Sequence, residues 1–525
     1  MLRQLLVVVL VAGMLLLLSL QDFTMSSGGY WHFRSVIPQD AANQNITRVQ
    51  GYGRASSNSS SAWVPSLEFE VIRRMVETNL RGTWYFFADL LKEIYSSTDK
   101  MKEEDFKSRL KEGGERISVL QHDLKKLSKM DGADAWRERE LQELSDLVQH
   151  RLHRLQNPSN CTAAKKFLCY MFACGMGCEL HHIIFCFMAA YGDNRITIPN
   201  PGWLYTRNGW VDVIVPLSET CTNFSRQNMT SWPGRNDSET IVFPGLFANP
   251  KPHHVPLAVP RDISDRLIHL VGDPAAWWVG QFIKYVFKFQ PYMQEIFKTA
   301  EKAVHFQHPI VGVQVRRTDK KREAPYRELS EYMEQVEEYF NGLQILDPNI
   351  TRRIYLASDE PEVYKEAHEK YPQYEIVFHK KTIDVVLDAN RFTPTSLRDL
   401  LVDMYFLARC DYIVVTFSSN IGRLAYEWMH ALRSDASSRY YSLDHTFWYF
   451  SQREGSAKAR FHHKFPGGKE ESIRPGDQLQ IPVISDYRRN MYMAAVKRQN
   501  KNLLMPAHKL QHVVEIVNIS RTNWD

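Results

Sequence analysis

The chain has 525 residues, which is too many for a single compact hydrophobic core, so two or more domains are expected. Apolar residues make up 44% of the chain, as in ordinary globular proteins. The net charge of +5 is mild for this length, and it does not favour a nucleic-acid-binding protein, which would present a strongly basic face.

The N-terminus predicts a membrane anchor. An uninterrupted apolar run extends from Leu5 to Leu20. The run is close to the minimum for a membrane-spanning helix, and a short span suits a thin, Golgi-like bilayer. The following LSLQDF lacks the small residues of a cleavage site, which favours an uncleaved signal anchor over a cleaved signal peptide. We predict a cytoplasmic tail at 1–4, a signal-anchor helix at 5–21 and a lumenal remainder.

Glycosylation triplets and cysteines agree with a secretory lumen. Triplets of the N-x-Ser/Thr type, each a weak signal alone, occur at Asn45, Asn58, Asn160, Asn223, Asn228, Asn236, Asn349 and Asn518. Six of the seven cysteines lie in one window, namely Cys161, Cys169, Cys174, Cys178, Cys186 and Cys221. An even cluster in an oxidising lumen predicts disulfides, with fifteen possible connectivities. Zinc is the alternative, because Cys174, Cys178, His181 and His182 are close in sequence, but their spacing fits no common zinc finger.

Two segments follow the anchor. Residues 22–65 are rich in Ser, Gly, Asn and Gln, which predicts a flexible stem. Residues 66–156 carry apolar side chains at spacings of three and four, which predicts amphipathic helices with breaks at Gly113-Gly114 and Asp131-Gly132. Two interpretations fit these helices: a coiled coil or helical hairpin used for dimerisation, and a helical subdomain packed on the rest of the chain.

From residue 163 the pattern becomes α/β. IIFCFMAAY and WVDVIVPL indicate strands, and WWVGQFIKYVFKF indicates a helix. The segments IVGVQV, RIYLAS, YEIVFH and YIVVTF then indicate strands, each followed by an amphipathic helix. Such alternation predicts a parallel, doubly wound sheet. Residues 452–515 show no long helix and predict a small β-barrel.

Three of the predicted strands end in polar groups. IVGVQV ends at Arg316-Arg317, RIYLAS ends at Ser358-Asp359, and YIVVTF ends at Ser418-Ser419-Asn420, which opens a helix. Ligands of open α/β sheets bind beyond the carboxyl ends of the strands. Arginine and a helix N-terminus both suit phosphate, so we expect an anion between Arg316 and Ser419. The alternative is that Arg316 and Arg317 pair with Asp319 and Asp359.

A diphosphate in the secretory lumen suggests a nucleotide-sugar donor. Metal-dependent glycosyltransferases commonly hold the diphosphate through an Asp-x-Asp motif, and this sequence contains none. It also lacks GxGxxG and the P-loop GK[ST]. A metal-free enzyme must balance the leaving charge with cationic side chains and helix dipoles, both of which are predicted at the strand ends.

Specific motifs carry a family resemblance. They include VQVRRTDK, IYLASDEP, YPQYEIV, TFSSN, LAYEWMHAL, SLDHTFWYF, CGMGCELHHIIFCFMAAYG and GDPAAWWVGQFIKY. Over 66–515 the chain resembles the alpha-1,6-fucosyltransferases (glycosyltransferase family 23), which add core fucose to N-glycans. The resemblance implies a type II Golgi membrane enzyme with an N-terminal helical dimerisation region. It also implies a GT-B-like catalytic domain with a Rossmann-type sheet at 163–443 and an SH3-like barrel at 452–515.

The resemblance also implies a reaction and the residues for it. The family transfers L-fucose from GDP-fucose to O6 of the asparagine-linked GlcNAc, with inversion and without metal. Glu323 would be the general base, assisted by Lys320, and Arg316 would hold the diphosphate and fucose. The remaining implied donor-binding residues are Arg317, Asp403, Ser418, Ser419, Asn420, Tyr205, Gly175, Gly177, Asp359, Tyr332 and Gln314. Asp444 and His445 would contact the acceptor.

The resemblance implies the disulfides Cys161–Cys221, Cys169–Cys186 and Cys174–Cys178, with Cys410 free. The chain departs from the family pattern in places. Gln314 stands where the family has His, and the loop from Lys320 to Glu323 is one residue shorter. Asn420 replaces Gln, and His445 replaces an acidic residue.

Two alternative functions remain open on the sequence. The first is a fucosyltransferase acting on another acceptor, such as a chitin-like oligosaccharide or a protein. The second is a non-catalytic glycan- or GDP-sugar-binding homologue. The arginines at the strand end and the implied base Glu323 favour an enzyme over a binding protein.

Overall fold

In the computed structural model, three long helices precede the first strand: α1 (Leu67–Ser96), α2 (Glu103–Met130) and α3 (Ala133–Gln156). The structure describes residues 64–97, 102–170, 174–200, 205–224, 228–252, 258–318, 323–379, 392–449, 454–465, 472–482, 493–498 and 501–519. The predicted tail and anchor lie outside these ranges, as does all of the stem but its last two residues. Within the described part of the chain, no helix has both the length and the apolarity needed to cross a membrane.

The helical region agrees with the sequence prediction except at one break. Gly132 separates α2 from α3 in a left-handed conformation (φ 80°) that glycine adopts readily. The predicted break at Gly113-Gly114 is wrong, because both glycines lie inside α2. A Cβ on Gly113 would stand 2.5 Å from the Trp84 ring, so the missing side chain makes room for Trp84 of α1. Tertiary packing therefore outweighs the weak helix propensity of glycine here.

Helix α3 belongs to the main core rather than to an isolated hairpin. Its buried face includes Leu141, Leu144, Val148 and Leu152, which share one hydrophobic cluster with the α/β region. Arg151 pairs with Asp262 at 2.7 Å across this contact. The packed-subdomain interpretation therefore describes α3, while the coiled-coil dimer stays a prediction.

The first sheet is parallel and four-stranded, in the order β2-β1-β4-β3. Its strands are β1 (Lys166–Cys169), β2 (Ile196–Pro199), β3 (Met229–Ser231) and β4 (Thr240–Phe243), and α4 (Met176–Gly192) connects β1 to β2. The strand prediction for IIFCFMAAY is wrong, because this segment lies in α4. A continuous apolar run cannot distinguish a buried strand from a helix buried on all sides. WVDVIVPL is also not a strand. It holds a 3-10 turn (Gly209–Asp212) and a single bridge between Ile214 and Phe289.

Strand β5 (Ala258–Pro260) and helices α5 (Arg261–Leu270), α6 (Pro274–Val286) and α7 (Pro291–Val304) connect the two parallel sheets. Asp273 caps α6 by accepting a hydrogen bond from the Ala276 N–H, and Pro274 occupies the first turn. A Cβ on Gly280 would lie 2.7 Å from the Glu427 carbonyl oxygen, so α6 packs closely against a helix of the second sheet. The α/β region thus has two halves, one built on each parallel sheet, and the two halves share one continuous core.

The second sheet is parallel and five-stranded, in the order β10-β9-β6-β7-β8. Its strands are β6 (Ile310–Val315), β7 (Arg353–Ser358), β8 (Glu375–Val377), β9 (Tyr412–Val415) and β10 (Tyr440–Ser442). The intervening helices are α8 (Leu329–Gln344), α9 (Pro361–Lys370), α10 (Pro394–Arg409) and α11 (Asn420–Leu432). The predicted parallel sheet with alternating strands and helices is thus present.

Short strands follow: β11 (Glu454–Ala459), β12 (His463–Lys464), β13 (Ser472–Ile473), β14 (Gln478–Pro482), β15 (Met493–Arg498), β16 (Lys501–Pro506), β17 (Leu510–Val513) and β18 (Glu515–Val517). Five of them form an antiparallel sheet, in the order β16-β15-β14-β11-β17, over its own small core. Strand β18 pairs with β5 in the middle of the chain. The described part of this region has no long helix, and its SH3-like identity stays a prediction.

The disulfides have the pairing that the resemblance implied: Cys161–Cys221, Cys169–Cys186 and Cys174–Cys178, with Cys410 buried and free. Ligand atoms of Cys174, Cys178 and His182 lie within 4.8 Å of one another, close enough for a metal ion. The Cys174–Cys178 disulfide, however, engages both sulfurs, so these cysteines do not offer the thiolates that zinc requires.

Candidate active site

The second sheet reverses its strand order between β6 and β9, which are hydrogen-bonded neighbours. From β6, the chain proceeds in one direction through β7 and β8 and then returns to the other side with β9 and β10. The crevice at such a switch point, beyond the carboxyl ends of the strands, is where open α/β sheets bind ligands. Strand β6 leads here to Arg316, and β9 leads here to Ser418 and Ser419.

Asp359 organises the loop after β6. Its carboxylate accepts hydrogen bonds from the backbone N–H groups of Arg317 (2.9 Å) and Thr318 (3.1 Å), and it forms an ion pair with Arg316. The Arg316 side chain remains 22% exposed. Asp359 thus holds the Arg316 guanidinium at the mouth of the crevice, which is the contact that the alternative interpretation foresaw for this arginine.

Arg317 is held differently and is only 4% exposed. Its guanidinium pairs with Glu360 at 3.2 Å and Glu366 at 3.4 Å, and it lies over the Tyr326 ring at 4.6 Å. Burial by itself would lower the pKa of Arg317, but the Glu360 hydrogen bond and the nearby Tyr326 and Glu366 leave the pKa raised. Arg316 and Arg317 therefore escape mutual repulsion because each has its own carboxylate partner.

The loop after β9 is held by Asp444, which follows β10. This buried carboxylate accepts hydrogen bonds from the N–H groups of Phe417 (2.7 Å) and Ser418 (3.2 Å). The Arg423 guanidinium donates to the Phe417 carbonyl and to the Asn420 side chain. The first turn of α11, with Ser419 as its N-cap, is thereby directed at the crevice. Asp444 acts on this loop in the structure, and its predicted contact with the acceptor stays a prediction, as does that of His445.

A second helix N-terminus meets α11 at the same place. A Cβ on Gly177 would lie 2.9 Å from the Asn420 Cβ, so the first turns of α4 and α11 touch. Gly175 is the N-cap of α4, and Tyr205 accepts a hydrogen bond from the Met176 N–H at 2.9 Å. The predicted donor-binding residues of the first half therefore lie beside those of the second half. Helix N-termini carry partial positive charge, so two of them together favour an anion.

Deeper in the same two helices lies a buried hydrogen-bonded pair that sequence reasoning did not find. His181 Nε2 lies 3.1 Å from Glu427 Oε2, and both side chains are fully buried. The Tyr449 hydroxyl donates to the His181 carbonyl at 2.8 Å. The two residues are 246 positions apart, so no sequence spacing could have signalled the pair.

Three further predicted donor residues are buried side chains. Asp403, on α10, accepts a 2.6 Å hydrogen bond from the Tyr355 hydroxyl of β7. Burial and the neighbouring Asp403 carboxylate raise the pKa of Tyr355, which keeps this hydroxyl a donor. Gln314 of β6 is 4% exposed, and burial raises the pKa of the equally enclosed Tyr332. Asp403, Gln314 and Tyr332 are thus buried, unlike the partly exposed Arg316 at the mouth of the crevice.

The residue after the predicted base lines a depression. The wall of the depression is formed by Arg316, Arg317, Ala324, Pro325, Tyr326, Arg327, Thr416 and Ser418. Glu323 directly precedes Ala324 and is exposed. Lys320 lies outside the described residues. The structure thus brings Arg316, the Ser418 loop and the neighbour of Glu323 to one cavity, although 100 residues separate the two loops.

Comparison with known proteins identifies the family of the chain. The sequence model described as "Alpha-(1,6)-fucosyltransferase N- and catalytic domains" matches residues 34–449. An alpha-(1,6)-fucosyltransferase of Drosophila melanogaster is 36% identical over 466 residues, covering 87% of this chain and 75% of the relative. One of Caenorhabditis elegans is 30% identical over 452 residues, covering 84% of this chain and 78% of the relative.

Solved structures resemble the chain more distantly. The NodZ alpha-1,6-fucosyltransferase co-crystallised with GDP is 13% identical, with a TM-score of 0.32 over 50% of this chain and 91% of that one. POFUT1 in complex with GDP-fucose is 12% identical, with a TM-score of 0.33 over 54% of this chain and 98% of that one.

The sequence relatives define the class of protein, an enzyme that transfers fucose and hence a glycosyltransferase. Within that class, the chain belongs to the alpha-(1,6)-fucosyltransferase family.

Proposed function

We propose that the chain transfers L-fucose from GDP-fucose, in alpha-1,6 linkage, to the asparagine-linked GlcNAc of N-glycans. The observation that carries the donor proposal is the convergence of Arg316 with the N-termini of α4 and α11 at the switch point of the second sheet. A nucleoside diphosphate carries the negative charge that this arrangement accommodates. The acceptor follows from the family relatives and from the flanking regions that the resemblance implies.

The proposed reaction is a single displacement with inversion. The acceptor O6 forms a bond to C1 of fucose while the bond from C1 to the β-phosphate oxygen breaks, and the electron pair leaves on GDP. Glu323 takes the O6 proton as general base, with Lys320 assisting. Arg316 and the first turn of α11 stabilise the charge that develops on the leaving phosphate, so no metal ion is needed for that task.

The proposal extends to the whole molecule. Residues 5–21 anchor the protein in the Golgi membrane as a single-pass type II protein, with the remainder in the lumen. The two parallel sheets form a GT-B-like catalytic core, the helical region mediates a homodimer, and the C-terminal sheet is an SH3-like domain that contributes to the acceptor side. The three disulfides support an oxidising compartment.

The testing experiment incubates the full-length protein with GDP-fucose and a GlcNAc-terminated biantennary N-glycopeptide in EDTA. Mass spectrometry is run before and after endoglycosidase cleavage between the two core GlcNAc residues. We expect one deoxyhexose to remain on the peptide-linked GlcNAc. Transfer only after Mn²⁺ addition would overturn metal independence. GDP binding without transfer in either condition would overturn the acceptor and turn attention to chitin-like oligosaccharides or proteins.

A further inference from the structure

Helix α10 carries two buried carboxylates on one face, of which the resemblance implicates only Asp403. Asp399 precedes Asp403 by four residues, so both side chains lie on the same side of the helix, about 6 Å apart along its axis. Both residues are 5% exposed. Asp399 is therefore a second buried acid in the same row.

The direction of α10 places Asp399 nearer to the ligand side than Asp403. The helix connects the carboxyl end of β8 to the amino end of the parallel strand β9, so its first residues lie at the carboxyl edge of the sheet. Asp403 bonds Tyr355, three residues before the last residue of β7. Asp399 instead bonds His379, which lies just beyond the carboxyl end of β8, at 3.1 Å. The Asp399 carboxylate thus lies at the level where a ligand would sit.

The two oxygens of Asp399 are used unequally. Oδ1 lies within hydrogen-bond distance of His379 Nε2. Oδ2 is buried and has no hydrogen-bond partner among the residues that the structure describes. A buried carboxylate oxygen without a partner is costly, so such an atom in a native site calls for an explanation. Asp403 differs, because its Oδ1 is already occupied by the Tyr355 hydroxyl.

We propose that Asp399 Oδ2 binds the nucleoside of the donor, with His379 as the positioning residue that orients the carboxylate. This inference rests on the proposed GDP-fucose function and adds a binding residue to it. An acidic oxygen requires a hydrogen-bond donor, which the diphosphate lacks and the nucleoside supplies, as the amino group of guanine or as a ribose hydroxyl. The rings of Tyr205 and Phe392 lie 5.3 Å apart by their centroids. Since Phe392 lies two residues before α10, this contact places Tyr205 of the opposite half of the site beside the start of this helix.

The test is calorimetric titration of the full-length protein with GDP, IDP, 2′-deoxyGDP and 3′-deoxyGDP. IDP lacks the guanine amino group, and the deoxy analogues each lack one ribose hydroxyl. We expect Asp399→Asn to weaken GDP binding roughly tenfold or more, as expected for a lost hydrogen bond to a charged group. For the unmodified protein, one analogue should have a lower affinity than GDP. For the Asp399→Asn variant, the same analogue and GDP should have equal affinities. That analogue identifies the contacted group.

The control is Asp262→Asn, which breaks the ion pair with Arg151 far from the strand ends and should leave GDP affinity unchanged. Unaltered GDP affinity or analogue preference in Asp399→Asn would overturn the proposal. If Asp399→Asn does not fold, His379→Gln is measured in its place. It should show a smaller loss of GDP affinity and should also bind GDP and the same analogue equally. GDP and analogue affinities like those of the unmodified protein would overturn the proposal. Absence of GDP binding by the unmodified protein would instead overturn the donor proposal, and this inference with it.

Discussion

At the residue scale, each charged group of the site has its own partner. Asp359 forms an ion pair with Arg316, and Glu360 and Glu366 form ion pairs with Arg317. Asp444 accepts hydrogen bonds from the backbone of the Ser418 loop. Glu323 is exposed and directly precedes Ala324, which lines the depression. The sequence pattern placed Arg316 and Ser418 at the ends of strands, and the family resemblance supplied Glu323. The sequence could not show which carboxylate holds which arginine, because these partners come from different strands.

Glu323→Gln should abolish transfer while leaving GDP affinity intact, because the amide cannot accept the acceptor proton. A loss of about 10²- to 10⁴-fold in kcat is expected for a missing general base. Activity is measured by fucosylated product, and affinity by calorimetry. Glu362→Gln, an exposed carboxylate at the start of α9, is the matched control and should remain active. A Glu323→Gln protein with normal kcat would remove this residue from the mechanism.

Glu179, in the first turn of α4, should make stability depend on pH. Burial raises its pKa to about 8 from an ordinary 4.5. The folded state thus binds this proton more tightly than the unfolded state, so the stabilisation is complete below about pH 4.5 and is lost as pH rises to about 8. The lost stability is on the order of 5 kcal/mol.

Glu179→Gln should remove this dependence, so the variant should gain thermal stability relative to the unmodified protein as pH increases from 5 to 8. The measurement is Tm at several pH values. Glu68→Gln, an acidic residue in the first turn of α1, should follow the unmodified protein throughout. Parallel pH profiles for Glu179→Gln and the unmodified chain would contradict the shifted pKa.

At the scale of elements, the donor site depends on two helices meeting end to end. Gly177 of α4 and Asn420 of α11 approach so closely that no side chain fits on the glycine. The sequence pattern predicted α11 and its position after β9, yet it misassigned most of α4 to a strand. A helix that is apolar on all sides has no amphipathic period, so only its packing between the two halves revealed its conformation.

Gly177→Ala should therefore push the two helix N-termini apart and weaken donor binding. We expect the KM for GDP-fucose to increase several-fold with a smaller change in kcat, since the helices contact the diphosphate in the proposed complex. Gly342→Ala is the matched control, because its added Cβ would meet only Ser118, at ordinary contact distances of 3.5 Å and more. Equal KM values in the two variants would contradict a role for this helix contact.

At the scale of the whole molecule, the two halves share one hydrophobic core, and the His181–Glu427 pair crosses it. Removing one partner leaves the other as a buried polar group without its hydrogen bond, which costs roughly 1–3 kcal/mol. Glu427→Leu should thus lower Tm strongly, and both halves should unfold in one transition. His181→Leu combined with Glu427→Leu should recover part of the loss, because apolar replacement of both partners is better tolerated.

Thermal unfolding is followed by calorimetry and by tryptophan fluorescence, and coincident transitions are expected from the shared core. Asp477→Asn, in the C-terminal sheet and away from the two parallel sheets, should leave the main transition in place. Two separate transitions for the parallel sheets in the unmodified protein would contradict a common core.

The sequence by itself determined the alternation of strands and helices, the polar groups at the strand ends and the family, because these depend on local periodicity and contiguous motifs. Only the tertiary structure decided which groups meet. It placed β6 beside β9, brought Gly177 to Asn420, paired His181 with Glu427 and set Asp399 beside His379. Such contacts join residues from 20 to 246 positions apart, and their geometry follows from how the elements pack rather than from any spacing along the chain.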